Sequence, residues 1–171
     1  MTRTLSACLI LLALLAACTA TPSAEGAPAA TTATTAVDSA ARDSAARQAH
    51  VNYVRVINSN KVDSFATMVT DDVVFLAAGA KPLVGKAAVR AWVDGYYKAF
   101  RTSWDKPVEE LVVAGDYAYE RYRWTSTDTP VAGGTPIVDT GWGLLVYRRE
   151  ADGVWRVARD AFGPDHAPAA R

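Results

Sequence analysis

Three side chains in this sequence have the types and positions for proton chemistry: His50, Tyr53 and Asp160. His50 and Tyr53 lie three apart in a stretch with helical periodicity, so they share one helix face. Asp160 lies in an alternating stretch near the end of the chain. A carboxylate facing inward there could orient His50 or hold a polar group of a ligand. A His–Asp pair works as general acid and base near neutral pH. Trp92, Tyr96, Trp124 and Trp142 supply aromatic surface of the kind that lines a pocket for a small, largely apolar molecule. Each of these residues also has a plainly structural role open to it. Tyr53 can be core with its hydroxyl satisfied at the edge. His50 can sit at the domain rim, Asp160 can pair with Arg159 or Arg123 at the surface, and the tryptophans can simply fill the core.

Other chemistries lack their residues. His50 and His166 are far apart and have no ligand spacing, so no metal site is expected. Asp71-Asp72 reads as a turn closing a helix. Ser39 and Ser44 show no nucleophile-elbow pattern, and no glycine-rich phosphate loop follows a strand. No cofactor is expected. The formal net charge of +0, without a basic stripe, argues against a nucleic-acid partner. The two cysteines, Cys8 and Cys18, both precede the folded part, which therefore has no disulfide framework.

The elements that must position these groups can be placed in order. Asp38 to Asn58 reads as a helix with Ala46, His50, Tyr53, Val54 and Ile57 along one stripe. Asn58-Ser59-Asn60 breaks it, and a short helix follows with Val62, Phe65, Met68 and Val69 on one face. Val73 to Ala77 is a short strand, with Leu83-Val84 returning beside it. Lys86 to Phe100 is a third helix, striped by Val89, Trp92, Val93, Tyr96 and Phe100. Val108 to Val113 and Tyr117 to Ser126 are strands. In the latter, Ala118, Glu120, Tyr122 and Trp124 alternate with Tyr119, Arg121 and Arg123. Thr127 to Pro136 reads as the longest loop. The stretch Val138 to Asp165 is a long hairpin turning at Ala151-Asp152-Gly153. Gly141 and Gly143 flank Trp142; strand glycines mark a bulge, a bend or close approach by another group. Three helices and then a run of antiparallel strands make an α+β layout, with helices on one face of a curved sheet.

The N-terminus carries an address. Arg3 and the apolar run Leu5 to Leu15 form an export signal too short to span a membrane. Leu15-Ala16-Ala17-Cys18 resembles a bacterial lipobox, which implies cleavage before Cys18 and lipidation of that residue. Secretion after cleavage at a nearby small residue is the alternative. Thr19 in place of an aspartate implies, by the same resemblance, the periplasmic side of the outer membrane in a didermal envelope. The expected organisation is a signal peptide over 1–17, a lipidated Cys18 with a flexible Ala/Thr/Pro tether to 37, a domain over 38–165 and a loose tail over 166–171.

Within the domain, Tyr53 through Phe75, Leu83-Val84-Gly85-Lys86, Gly115-Asp116-Tyr117-Ala118 and Gly141 to Asp160 together resemble the nuclear transport factor 2-like superfamily, in its SnoaL-like and ketosteroid-isomerase-like branch. The resemblance spans about Ala45 to Asp165. It implies a cone-shaped curved sheet with three N-terminal helices enclosing a pocket, and a homodimer through the outer sheet face. In the steroid-isomerase branch a tyrosine on the first helix donates to the substrate oxyanion, and Tyr53 falls there. That branch's general base would fall on Ala77, and its second acid near Gly141 to Gly143, where this sequence has no carboxylic acid. Three functions follow as expectations. The first is binding of a small, largely apolar molecule in an aromatic pocket. The second is cofactor-free acid–base catalysis of cyclase, dehydratase, isomerase or hydrolase type. The third is an envelope interaction domain working through its sheet face.

Overall fold

The computed structural model describes residues 30–166. Three helices, α1 (Ala30–Asn58), α2 (Val62–Ala66) and α3 (Lys86–Ala99), pack on a curved sheet of seven strands. The strands are β1 (Val69–Ala77), β2 (Leu83–Val84), β3 (Phe100–Asp105), β4 (Val108–Ala114), β5 (Tyr117–Pro130), β6 (Ile137–Arg149) and β7 (Trp155–Pro164). The sheet runs β2-β1-β7-β6-β5-β3, with β4 also paired to β5. β5 is long enough to hold both: its first part pairs with β4 and its last with β3. Among the described residues no helix is long and apolar enough to cross a membrane.

The structure revises the expected elements in four places. The first helix begins at Ala30, not Asp38; no glycine or proline interrupts Ala30 to Val37, so nothing in that stretch stops the helix short of Asp38. The expected signal peptide, Cys18 and the first part of the expected tether lie outside the described residues, as do residues 167–171. Asp71 and Asp72 are not a turn. They lie in β1, and Asp72 ties it to β6 through a two-pronged pair with Arg148 at 2.8 and 3.0 Å. Thr127 to Pro130 continues β5 instead of opening the loop.

The fourth revision is β3, which the sequence does not announce. Its residues, FRTSWD, are too polar to read as a strand. Asn58 and Asn60, at the end of α1, supply its missing partners. Asn60 accepts from Thr102 N–H (2.8 Å) and donates to Thr102 C=O (3.0 Å). Asn58 does the same at Trp104, at 2.7 and 2.9 Å. Two side-chain amides thus satisfy backbone groups on β3 and lock α1 to the sheet. Asn60 takes a left-handed conformation (φ 53), which asparagine tolerates.

One pairing also departs from an all-antiparallel sheet. β1 runs parallel to β7, with Phe75 opposite Asp160. A parallel pair needs a long crossover, and here almost the whole domain serves as one. The core lies between the helices and the inner sheet face, where Tyr53, Tyr122, Leu145, Tyr147, Val157 and Glu120 are all buried.

Candidate functional site

α1 contributes Tyr53 because its buried stripe turns that ring onto the sheet, beside Ala49, Val56 and Ile57. β5 contributes Tyr122 by strict alternation: Ala118, Glu120, Tyr122, Trp124 and Ser126 face inward while the residues between them are exposed. β7 contributes Asp160, which is buried. Its carboxylate accepts from Tyr122 Oη at 2.7 Å and from Tyr53 Oη at 3.2 Å. Lys106, in the short link between β3 and β4, is buried as well. Its ammonium lies over the Tyr122 ring, 3.8 Å from the centroid, and 5.0 Å from that of Tyr53.

These four polar residues meet in an aromatic cavity of ≈ 50 Å³, lined also by Phe65, Phe75, Trp92, Tyr96, Trp104 and Phe162 among others. Trp92 stacks on Tyr96 (interplanar angle 4°) and is 40% exposed, which marks the side on which the cavity meets solvent.

The glycines of β6 make room for this arrangement. A Cβ on Gly143 would lie 2.2 Å from Tyr122 Cζ and Oη, and one on Gly141 would lie 2.4 Å from the Trp124 ring. Among the alternatives open to strand glycines, close approach is the one realised: Tyr122 can reach Asp160 because Gly143 has no side chain.

Burial dominates the electrostatics. It pushes the Asp160 carboxyl up, against the pull of Lys106 and the two tyrosine hydroxyls. It pushes the Lys106 ammonium down, against the carboxylates of Asp160 and Glu120. Acid and amine are thus moved toward each other in proton affinity, because each charged form is costly in a water-poor site. Tyr53 and Tyr122 are both pushed up, by burial first and then by Asp160, so they remain proton donors.

The residues expected at the site divide into three groups. Tyr53 and Asp160 are bonded to each other, and Trp92 and Tyr96 line the same cavity. His50 does not join Asp160. It pairs with Glu120, Nδ1 to Oε1 at 2.9 Å, and Tyr147 donates to the other oxygen of Glu120 at 3.1 Å. Trp124 and Trp142 are not in the cavity lining. Trp124 is buried against Trp104, with ring centroids 5.1 Å apart. Trp142 points to the outer sheet face, 40% exposed, with the Arg123 guanidinium 4.3 Å from its ring centroid. The period-2 pattern of β6 is responsible: Gly141 and Gly143 take the inward positions, leaving Trp142 outward.

Sequence reasoning missed Lys106, Tyr122 and Glu120. For Glu120 and Tyr122 there was a signal, since a carboxylate sharing a strand face with alanine, tyrosine and tryptophan has to be buried with partners. Lys106 has none: a single lysine before a proline carries no pattern.

The sequence model of the SnoaL-like domain matches residues 50–158, and the helix-covered curved sheet is the corresponding architecture. The chain belongs to the SnoaL-like family. Among solved structures it is similar to a conserved protein from Planctomyces limnophilus, with 28% identity and a TM-score of 0.67 over 72% of this chain and 95% of that one. It is similar in fold to a ketosteroid isomerase-like protein from Erwinia carotovora (21% identity, TM-score 0.67, 73% of this chain and 97% of that one). It is also similar in fold to an NTF2-like protein with a cystatin-like fold from Novosphingobium aromaticivorans (17% identity, TM-score 0.63, 82% and 90%). Among curated proteins none matches the chain in sequence. A SnoaL-like fold with this aromatic cluster suits a ligand-binding or enzymatic domain.

Proposed function

We propose that this SnoaL-like chain is exported, anchored by lipid at Cys18, and binds a small, largely apolar molecule in the aromatic cavity. The observation that carries the binding reading is the cavity itself: aromatic side chains on most sides, and a few polar groups converging from four different parts of the chain. That is the usual make-up of a small-molecule site. The volume of ≈ 50 Å³ is well below the roughly 300–1,000 Å³ of drug-sized sites, so the ligand is small. Arg3, the Leu5 to Leu15 run and Leu15-Ala16-Ala17-Cys18 support export and anchoring. A homodimer through the outer sheet face is supported by exposed Val112, Tyr117, Tyr119, Trp142 and Leu144 on β4, β5 and β6.

Trp92 and Trp104 provide the test. Titrating the protein with alcohols from butanol to benzyl alcohol should give a saturable change in tryptophan fluorescence that Trp92→Phe combined with Trp104→Phe, the two tryptophans lining the cavity, abolishes. A signal that is linear in every alcohol, or unchanged in that double variant, would remove the cavity as the binding site.

A second reading is supported by the Tyr53–Asp160–Tyr122 hydrogen bonds: acid–base catalysis without a cofactor. In that case Asp160 exchanges a proton with a bound substrate, and a tyrosine hydroxyl steadies the oxygen that becomes charged.

A further inference from the structure

Lys106 stands apart from every other cation of the domain. It is 4% exposed and lines the cavity. The other described lysines with ion pairs, Lys86 and Lys98, are on the surface with carboxylates at 2.6 Å. Lys106 has neither a hydrogen bond nor an ion pair within 4.0 Å among the described residues; its nearest partners are the ring faces of Tyr122, Tyr53 and Trp104. A buried ammonium without a hydrogen-bonded partner is costly, and fold stability alone favours an apolar residue there. Cation–π contact over two phenol rings offsets part of that cost without filling the amine's donor positions.

We infer that Lys106 is a covalent capture site: its amine forms a reversible Schiff base with a small aldehyde or ketone held in the aromatic cavity. This deepens the binding reading above and rests on it. The charge balance favours a neutral carbonyl over a carboxylate ligand. Lys106 shares its surroundings with two buried carboxylates, Asp160 and Glu120, so a further negative charge would be repelled.

The steps balance on groups already present. Lys106 has no direct contact with Asp160 within 4.0 Å, so its proton passes through one cavity water to that carboxylate and leaves a free amine; the opposed displacement of their proton affinities makes that transfer easier. The nitrogen lone pair attacks the carbonyl carbon, forming the C–N bond, while the C=O π pair moves to oxygen. That oxygen takes a proton from the nitrogen, giving a neutral carbinolamine. Asp160 then returns its proton to the hydroxyl, the C–O bond breaks, and water leaves. The products are an iminium on Lys106, a carboxylate on Asp160 and one water. The total charge is unchanged. Tyr53 and Tyr122 remain hydrogen-bonded to Asp160 and hold it in place for both transfers. A desolvated lysine in an apolar pocket is a known way to make an amine nucleophilic at neutral pH.

The test uses the full chain with butanal and cyanoborohydride, followed by peptide mapping, and with butanol as the matched ligand that cannot react. Butylation of Lys106 should exceed that of exposed Lys61, Lys81 or Lys98 by about tenfold or more, because burial lowers the proton affinity of its amine and leaves more of it free to attack. Lys106→Met should lose the selective label while still binding butanol. Equal labelling of all lysines, with butanol still bound at the cavity, would overturn the Schiff-base inference and leave the binding reading intact. Absence of both the selective label and saturable butanol binding would overturn both.

Discussion

Replacing Gly143 with alanine tests the architecture of the site with a single methyl group. The Cβ would lie 2.2 Å from two atoms of the Tyr122 ring system, where contacts under 3.0 Å essentially do not occur. The ring must therefore move by about 0.8 Å or more, or β6 must bend away. Tyr122 is 0% exposed and held between β6 and the Lys106 ammonium 3.8 Å above its ring, so it can shift only into the small cavity it lines, away from its present hydrogen bond. Its hydrogen bond to Asp160 is 2.7 Å long, and the same displacement would stretch it to the edge of hydrogen-bonding range. The φ of Gly143 is not in the left-handed region, so backbone strain is not a competing cause. Overpacking of this kind costs about 1–3 kcal/mol. Losing a hydrogen bond to a charged acceptor adds about 1.5–3 kcal/mol. Urea denaturation of Gly143→Ala should therefore show a loss of about 2.5–6 kcal/mol, at an unchanged slope. In a Tyr122→Leu background the same substitution should cost less than about 0.5 kcal/mol, because the clashing atoms are gone. A loss below about 0.5 kcal/mol in the wild-type background would refute the close-approach account. An equal loss in both backgrounds would place the clash elsewhere.

Two further outcomes follow from the buried charges and the N-terminal segment. The folded-state pKa of Asp160 is raised, so its contribution to stability is full below the ordinary carboxylate range and is lost as pH rises through the raised value. Lys106 is the main group holding that value down, so Lys106→Met should extend the loss to higher pH. The urea midpoint of Lys106→Met should fall more than that of the parent as pH rises above the ordinary carboxylate range, and Asp160→Asn added to it should flatten the profile. Identical profiles for the parent and Lys106→Met would contradict the coupling. Cys18→Ala should move the protein from the membrane fraction to the soluble fraction of the envelope, and unchanged fractionation would rule out lipid anchoring at Cys18.

Much of the architecture was legible because it rests on local periodicity. The stripe on α1, the alternation along β5 and the Asp-Gly turn between β6 and β7 each follow from one residue's spacing to the next. Tyr53 and Asp160 were readable as candidates for the same reason, since each lies on a face that its own element defines.

Three things depended on tertiary structure. β3 forms because Asn58 and Asn60 reach its backbone from the end of α1, a pairing across more than forty positions of chain. His50 meets Glu120 instead of Asp160 because the parallel β1–β7 pairing places Asp160 opposite Phe75, at the Tyr53 and Tyr122 end of the cavity. Lys106 is buried because β3 and β4 pair with successive stretches of the same edge of β5, and their short link turns inward between them. Sequence carries the period of each element, because side-chain direction repeats every two or 3.6 residues. It does not carry which elements meet, and the proton affinities of Lys106 and Asp160 arise only where they do, from the water that the packed aromatic rings exclude.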